Sequence, residues 1–150
     1  MNRLLTLAPL AAGSDAALLA LRLLTGAFLI FGVWDNVTDP ARMAEFEGFQ
    51  RSAGIPLPHL GAPVSVYAQL LCGVAFIAGG LTRWAGLIML FNFAVAWVYV
   101  DRLQDFRGQF PCLALLAIAA VLATVGPGRW SLDARLSPPA ARAPRHPGRR

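Results

Sequence analysis

Residues 16–37 read AALLALRLLTGAFLIFGVWDNV, and this stretch decides the fold. At about 1.5 Å of rise per residue it is long enough, as a helix, to cross a hydrocarbon core of about 30 Å, which takes about 20 mostly apolar residues. Three further stretches follow the same rule: 62–81 (APVSVYAQLLCGVAFIAGGL), 84–100 (WAGLIMLFNFAVAWVYV) and 109–125 (QFPCLALLAIAAVLATV). Arg83 marks a tight turn between the second and third, and the helix-breaking Gly126-Pro127-Gly128 ends the fourth. The expected fold is therefore all-α, an integral membrane four-helix bundle. Four spans return the C-terminus to the side of the N-terminus.

The composition agrees. Hydrophobic residues make up 57% of the 150-residue chain and charged residues 14%, with a mean hydropathy of +0.56, whereas soluble domains are about one-quarter charged. The net charge of +5 is concentrated in the tail, where it would meet anionic headgroups of the lipid bilayer, so no nucleic acid is expected as a partner. Cys72 and Cys112 lack CxxC or zinc-ligand spacing and fall on different spans at different depths, so neither a metal site nor a disulfide framework is expected.

Arginine sets the direction. Arg3, Arg83, Arg129, Arg135, Arg142, Arg145, Arg149 and Arg150 fall on one side of the spans, and Arg42, Arg51, Arg102 and Arg107 on the other, where Asp39, Glu45, Glu47 and Asp105 offset them. Basic residues of short loops stay in the cytoplasm, so both termini are expected there, in a multi-pass protein of a bacterial inner membrane. Trp84 and Trp130 would then lie at the inner interface, and Trp34, Tyr67, Trp97 and Tyr99 near the outer one.

Residues 1–15 are expected as a cytoplasmic or interfacial segment, with Ser14-Asp15 capping the first span. Arg3 and the following LLTLAPLAAG also have the form of a secretory signal, the rival reading. The four-helix domain occupies 16–136. Residues 137–150, rich in Pro, Ala and Arg, are expected to be a disordered basic cytoplasmic tail. In the long first outer loop, Asp39 as cap, Pro40 at the first helical position and Gly54 as terminator predict a short amphipathic helix. Met43, Phe46 and Phe49 or Gln50 share its apolar face. The stretch Gly54-Ile55-Pro56-Leu57-Pro58 is expected to be extended.

Ionisable and amide side chains inside a span are costly, which makes each a candidate for function. Arg22 lies about 9 Å, Asn92 about 13 Å and Gln69 about 20 Å from the inner surface. Arg22 can either snorkel to that surface or face the interior to bind an anion or a quinone carbonyl. Gln69 and Asn92 can bridge helices as structural hydrogen bonds, or share a ligand pocket with Arg22. Asp35 and Asp101 are candidates for an acidic outer mouth, against ordinary interfacial solvation. No catalytic residue, phosphate loop, haem-binding histidine pair or activated nucleophile is evident, and the only histidines are His59 and His146.

With the spans placed, several strings resemble the DoxX family of small bacterial four-helix membrane proteins. Leu21-Arg22-Leu23 with Gly26, Phe28 and Gly32 is similar to that family's opening, and Gly54-Ile55-Pro56-Leu57-Pro58 to its first connection. Gly79-Gly80-Leu81-Thr82-Arg83 resembles its glycine-rich turn, and Gly126-Pro127-Gly128-Arg129-Trp130-Ser131-Leu132-Asp133 its closing string. Two departures stand out: Asp35 where many members carry Lys, and Gln69 where many carry Glu. The resemblance implies an accessory subunit of a membrane redox or oxidative-stress system, not an enzyme on its own. A quinone is then a possible ligand, and a redox subunit or a homo-oligomeric copy a possible partner. A small exporter and an uncharacterised oxidoreductase are the alternatives.

Overall fold

The computed structural model describes residues 13–136; the expected N-terminal interfacial segment and basic tail lie outside the described residues. Four long helices form the bundle: α1 (Ser14–Thr38), α3 (Pro58–Ala78), α4 (Thr82–Tyr99) and α5 (Phe106–Thr124). The loop helix α2 (Pro40–Ser52) lies between α1 and α3, a 3₁₀ turn (Asp101–Leu103) precedes α5, and a one-turn helix α6 (Leu132–Leu136) follows it. Among the described residues α1, α3 and α5 are long and apolar enough to cross a membrane. Helix α4, with 18 residues, opens on Thr82-Arg83 and carries Asn92, which lowers its mean hydropathy; it packs on both α3 and α5 and runs alongside them.

The bundle is built from two close pairs, α1 with α3 and α4 with α5, joined where α3 meets α4. Apolar burial supplies little drive between helices in lipid, so close backbone approach through small residues has to supply it. A Cβ on Gly26 would stand 2.6 Å from the Gly73 carbonyl oxygen, and one on Gly73 would stand 2.9 Å from that of Gly26. In the second pair a Cβ on Gly86 would fall 2.7 Å from the Ala123 nitrogen and 2.9 Å from the Ala119 oxygen. Between the pairs Leu29, Cys72, Phe76, Met89, Phe93, Cys112 and Leu122 form the core. Both cysteines are free and buried.

The ends of the elements refine the expectations. Ser14 makes no cap; Gly13 holds that position, and the Asp15 carboxylate instead accepts from the Arg129 amide at 2.8 Å. Asp39 caps α2 through the Ala41 amide at 2.8 Å, with Pro40 as the first helical residue. Helix α3 starts four residues earlier than the hydropathy suggests, at Pro58, because Leu57 adopts a left-handed conformation (φ 52°) that turns the chain directly into it. The connection from Gly54 is therefore not extended throughout. At its other end α3 stops at Ala78, and Gly79 (φ 69°) turns the chain away. On α2 Gln50 is buried and Met43 and Phe46 half-buried, so the amphipathic helix caps the bundle on the predicted face, although Phe49 is 48% exposed.

Close packing at Gly73 gives the first prediction. Gly73→Val should separate α1 from α3 and destabilise the protein by about 1–3 kcal/mol, the usual range for overpacking. Gly32→Ala, inside α1 with nothing within 4 Å of the new Cβ, should not destabilise the protein and should raise its stability by up to about 1 kcal/mol. Thermal unfolding in detergent, read by circular dichroism, distinguishes the two.

Candidate functional site

The polar side chains of the spans form two separate groups. The first lies where α1 begins, α3 ends and α4 begins. Arg22 is wholly buried (0% exposed), and its side chain turns toward the end of α3 and the segment after α5. Its Nη2 donates to the Trp130 carbonyl at 2.7 Å, in the segment after α5. Its Nη1 occupies the space that a Cβ on Gly79 would take, and Asp133 lies close enough to interact with its charge.

Asp133 ties that segment to the helix ends. Its carboxylate accepts from the Leu81 amide through Oδ1 at 2.7 Å and from the Thr82 amide through Oδ2 at 3.0 Å. Its own amide donates to the Gly79 carbonyl at 2.9 Å. These amides open α4 and would otherwise have no partner within the helix, and a carboxylate is the favoured group at the positive end of a helix dipole. Nearby, Arg83 reaches across to the end of α5 and donates to the carbonyls of Ala123, Thr124 and Val125. It thus serves the carbonyls that a helix C-terminus leaves open.

The second group sits deeper, at the α3–α4 seam. Gln69 Nε2 donates to Ser65 Oγ at 3.3 Å, and Ser65 Oγ donates to Asn92 Oδ1 at 2.8 Å. Ser65 and Gln69 are four residues apart and share one face of α3. All three are half-buried. Among the described residues Gln69 Oε1 and Asn92 Nδ2 form no hydrogen bond, and neither is among the buried polar atoms without a partner, so both are accessible at the seam. Gln69 lies ten residues before Gly79, about 15 Å along α3, so the Arg22 guanidinium and the amides are far apart. Gln69 and Asn92 are brought together; Arg22 is not with them.

The two outer acids are also apart. Asp35, exposed at the end of α1, lines an open hollow of about 350 Å³ with Asn36, Arg42, Glu45, Phe46 and Phe49. Asn36 Nδ2 donates to the Arg42 carbonyl at 3.0 Å, and Arg42 pairs with Glu45 at 2.9 Å. The Glu45 contact, with the charges of Asp35 and Asp39, raises the Arg42 pKa above its ordinary value. Asp101 accepts from Gln104 Nε2 at 2.6 Å, and the Cys112 thiol on α5 donates to the Phe93 carbonyl at 3.4 Å. Trp97 Nε1, on the same side, donates to Gln109 Oε1 at 3.2 Å. Among the described residues no group of His, Cys, Asp and Glu is arranged to hold a metal ion.

Sequence reading overlooked Ser65, although its place four residues before Gln69 was a usable signal. Thr82 and Asp133 belong to strings that carry the family resemblance, but their meeting depends on how the segment after α5 folds back.

The Arg22 knot yields a prediction. Gly79→Ala should cost about 1–2 kcal/mol in left-handed backbone strain and also displace the guanidinium. Gly80→Ala, whose nearest neighbour would be Leu132 at 3.8 Å, should cost much less. Thermal midpoints of the purified variants test the difference.

The DoxX family matches residues 17–102, from α1 through the 3₁₀ turn, including both polar groups except the Trp130 and Asp133 contributions. No curated protein and no solved structure shows a significant match. Since more than half of the chain is matched, from its first helix through the glycine-rich turn into α4, the chain belongs to the DoxX family.

Proposed function

We propose that this DoxX protein is an accessory, non-catalytic subunit of a membrane redox or oxidative-stress system in a bacterial inner membrane, with a quinone or similar small carbonyl compound bound at the α3–α4 seam. The observation that carries this reading is the Gln69–Ser65–Asn92 chain. It is half-buried among the apolar residues of α3 and α4 and leaves one amide acceptor and one amide donor unused. A quinone head presents carbonyl acceptors when oxidised and hydroxyl donors when reduced, so this pair complements both forms, and the apolar surroundings suit its ring. The redox setting follows from what the family resemblance implies. The distribution of arginines supports four spans with both termini cytoplasmic.

Arg22 stands outside this site. In nanodiscs containing a short-chain ubiquinone analogue, Gln69→Leu and Asn92→Leu should each weaken binding by about tenfold, equivalent to loss of one hydrogen bond near 1.4 kcal/mol. Equal binding by wild type and both variants, or purification of the protein alone with neither quinone nor partner, contradicts the proposal.

A second reading, a small exporter, is favoured by the hollow at Asp35, whose mixture of carboxylates, guanidinium and phenyl rings suits an amphiphilic cation. It requires that Asp35→Asn lower the flux of a cationic dye from proteoliposomes; unchanged flux eliminates it.

A further inference from the structure

The knot at the start of α4 contains buried hydrogen-bond donors that have no partner. The Asp133 carboxylate has two oxygens, and the Leu81 and Thr82 amides take one each. Arg22 Nε, Arg22 Nη1 and Thr82 Oγ1 are buried without a partner, and both residues are 0% exposed. Buried polar groups are nearly always served, and a guanidinium with two idle nitrogens departs strongly from that rule. Two helix amides, a hydroxyl and a guanidinium together are the donor set of an oxyanion site: helix amides face the anion, the dipole favours its charge, and Arg matches its oxygens.

We propose that the N-terminus of α4 and Arg22 form a phosphate-binding site, and that Asp133 occupies it in this structure as the chain's own stand-in for the ligand. A tetrahedral phosphate has enough oxygens to accept from the Leu81 and Thr82 amides and also from Arg22 and the Thr82 hydroxyl. The planar Asp133 carboxylate, seated on the two amides, leaves Arg22 Nε, Arg22 Nη1 and the Thr82 hydroxyl without a partner. Gly79 keeps the guanidinium in place, since a Cβ there would lie where Nη1 lies. Phosphate entry displaces Asp133, and with it the Asp133 amide from the Gly79 carbonyl and the Trp130 carbonyl from Arg22. Ligand binding and docking of residues 128–136 are therefore mutually exclusive, so a phosphate compound at this end of the bundle controls whether the segment is docked. The ligand is a phosphate monoester or free phosphate; a lipid headgroup and a soluble compound present the same chemistry.

The test uses the full-length protein in detergent, titrated at constant ionic strength with inorganic phosphate or short-chain phosphatidic acid, with chloride and short-chain phosphatidylcholine as controls. Asp133→Ala and Asp133→Asn should bind the phosphate probe at least about tenfold tighter than wild type, because the built-in competitor is removed or uncharged. Adding Thr82→Val or Arg22→Gln should abolish that gain. A response to phosphatidic acid alone identifies a lipid ligand, and a response to inorganic phosphate a soluble one; either supports the site. Absence of both responses in folded Asp133 variants overturns it, as does a gain that survives the Arg22 and Thr82 substitutions. Should the Asp133 variants not fold, hydrogen exchange in the wild type decides. Phosphate, but not chloride, should accelerate exchange at the Asp133 amide, and unchanged exchange rejects the proposal.

Discussion

A guanidinium buried in a membrane protein must find partners or cost the fold dearly, and the position of Arg22 orders much of the chain around it. Its fork needs space, and the left-handed Gly79 at the end of α3 supplies it. It needs an acceptor, and the Trp130 carbonyl supplies one at 2.7 Å. Those two requirements bring the segment after α5 back beneath α1 and α3, where Asp133 meets the first amides of α4. One buried charge thus ties the beginnings of two long helices, the end of a third and the chain beyond the fourth into a single polar knot.

The rest of the bundle is less constrained, which has consequences for function. Away from the knot the helices are held by glycine-mediated approach, Gly26 on Gly73 and Gly86 on Ala119 and Ala123, and by an apolar core. The half-buried Gln69–Ser65–Asn92 chain lies outside that core, about 15 Å from Gly79. Its amides are only half-buried and only half-used, unlike the wholly enclosed Arg22. A group whose loss would disrupt the fold is a poor place for a ligand to come and go unless something already there can be exchanged. The amide chain, which joins two helices already packed together, carries no such penalty.

Much of the architecture was legible in the sequence because lipid demands a simple pattern. Long apolar runs locate the helices, and the cap at Asp39-Pro40 locates α2 without reference to tertiary structure. The misplacements have local causes. Hydropathy cannot register the left-handed turn at Leu57 that starts α3 at Pro58, nor the turn at Gly79 that ends it before the apolar run ends. The site was only partly legible. Distances along helices placed Gln69 and Asn92 in the membrane, and the fold joins them through Ser65. The same reckoning placed Arg22 within reach of them, because rise per residue locates a Cα and says nothing about a long side chain that turns toward Trp130. Asp35 and Asp101 share a side of the bundle by the same measure, yet Asp35 stays exposed in a hollow beside α2 and Asp101 bonds to Gln104 in the connection to α5.

The proposed quinone site is the amide group of the α3–α4 seam, set apart from the buried Arg22 charge within one small bundle. A cryo-electron microscopy structure of the full chain in nanodiscs loaded with quinone tests it most directly, with an added binding fragment if size requires one. Head-group density should stand against Ser65, Gln69 and Asn92, with the Arg22 guanidinium still on the Trp130 carbonyl. Head-group density at Arg22, or an α3–α4 seam without ligand at saturating quinone, would contradict it.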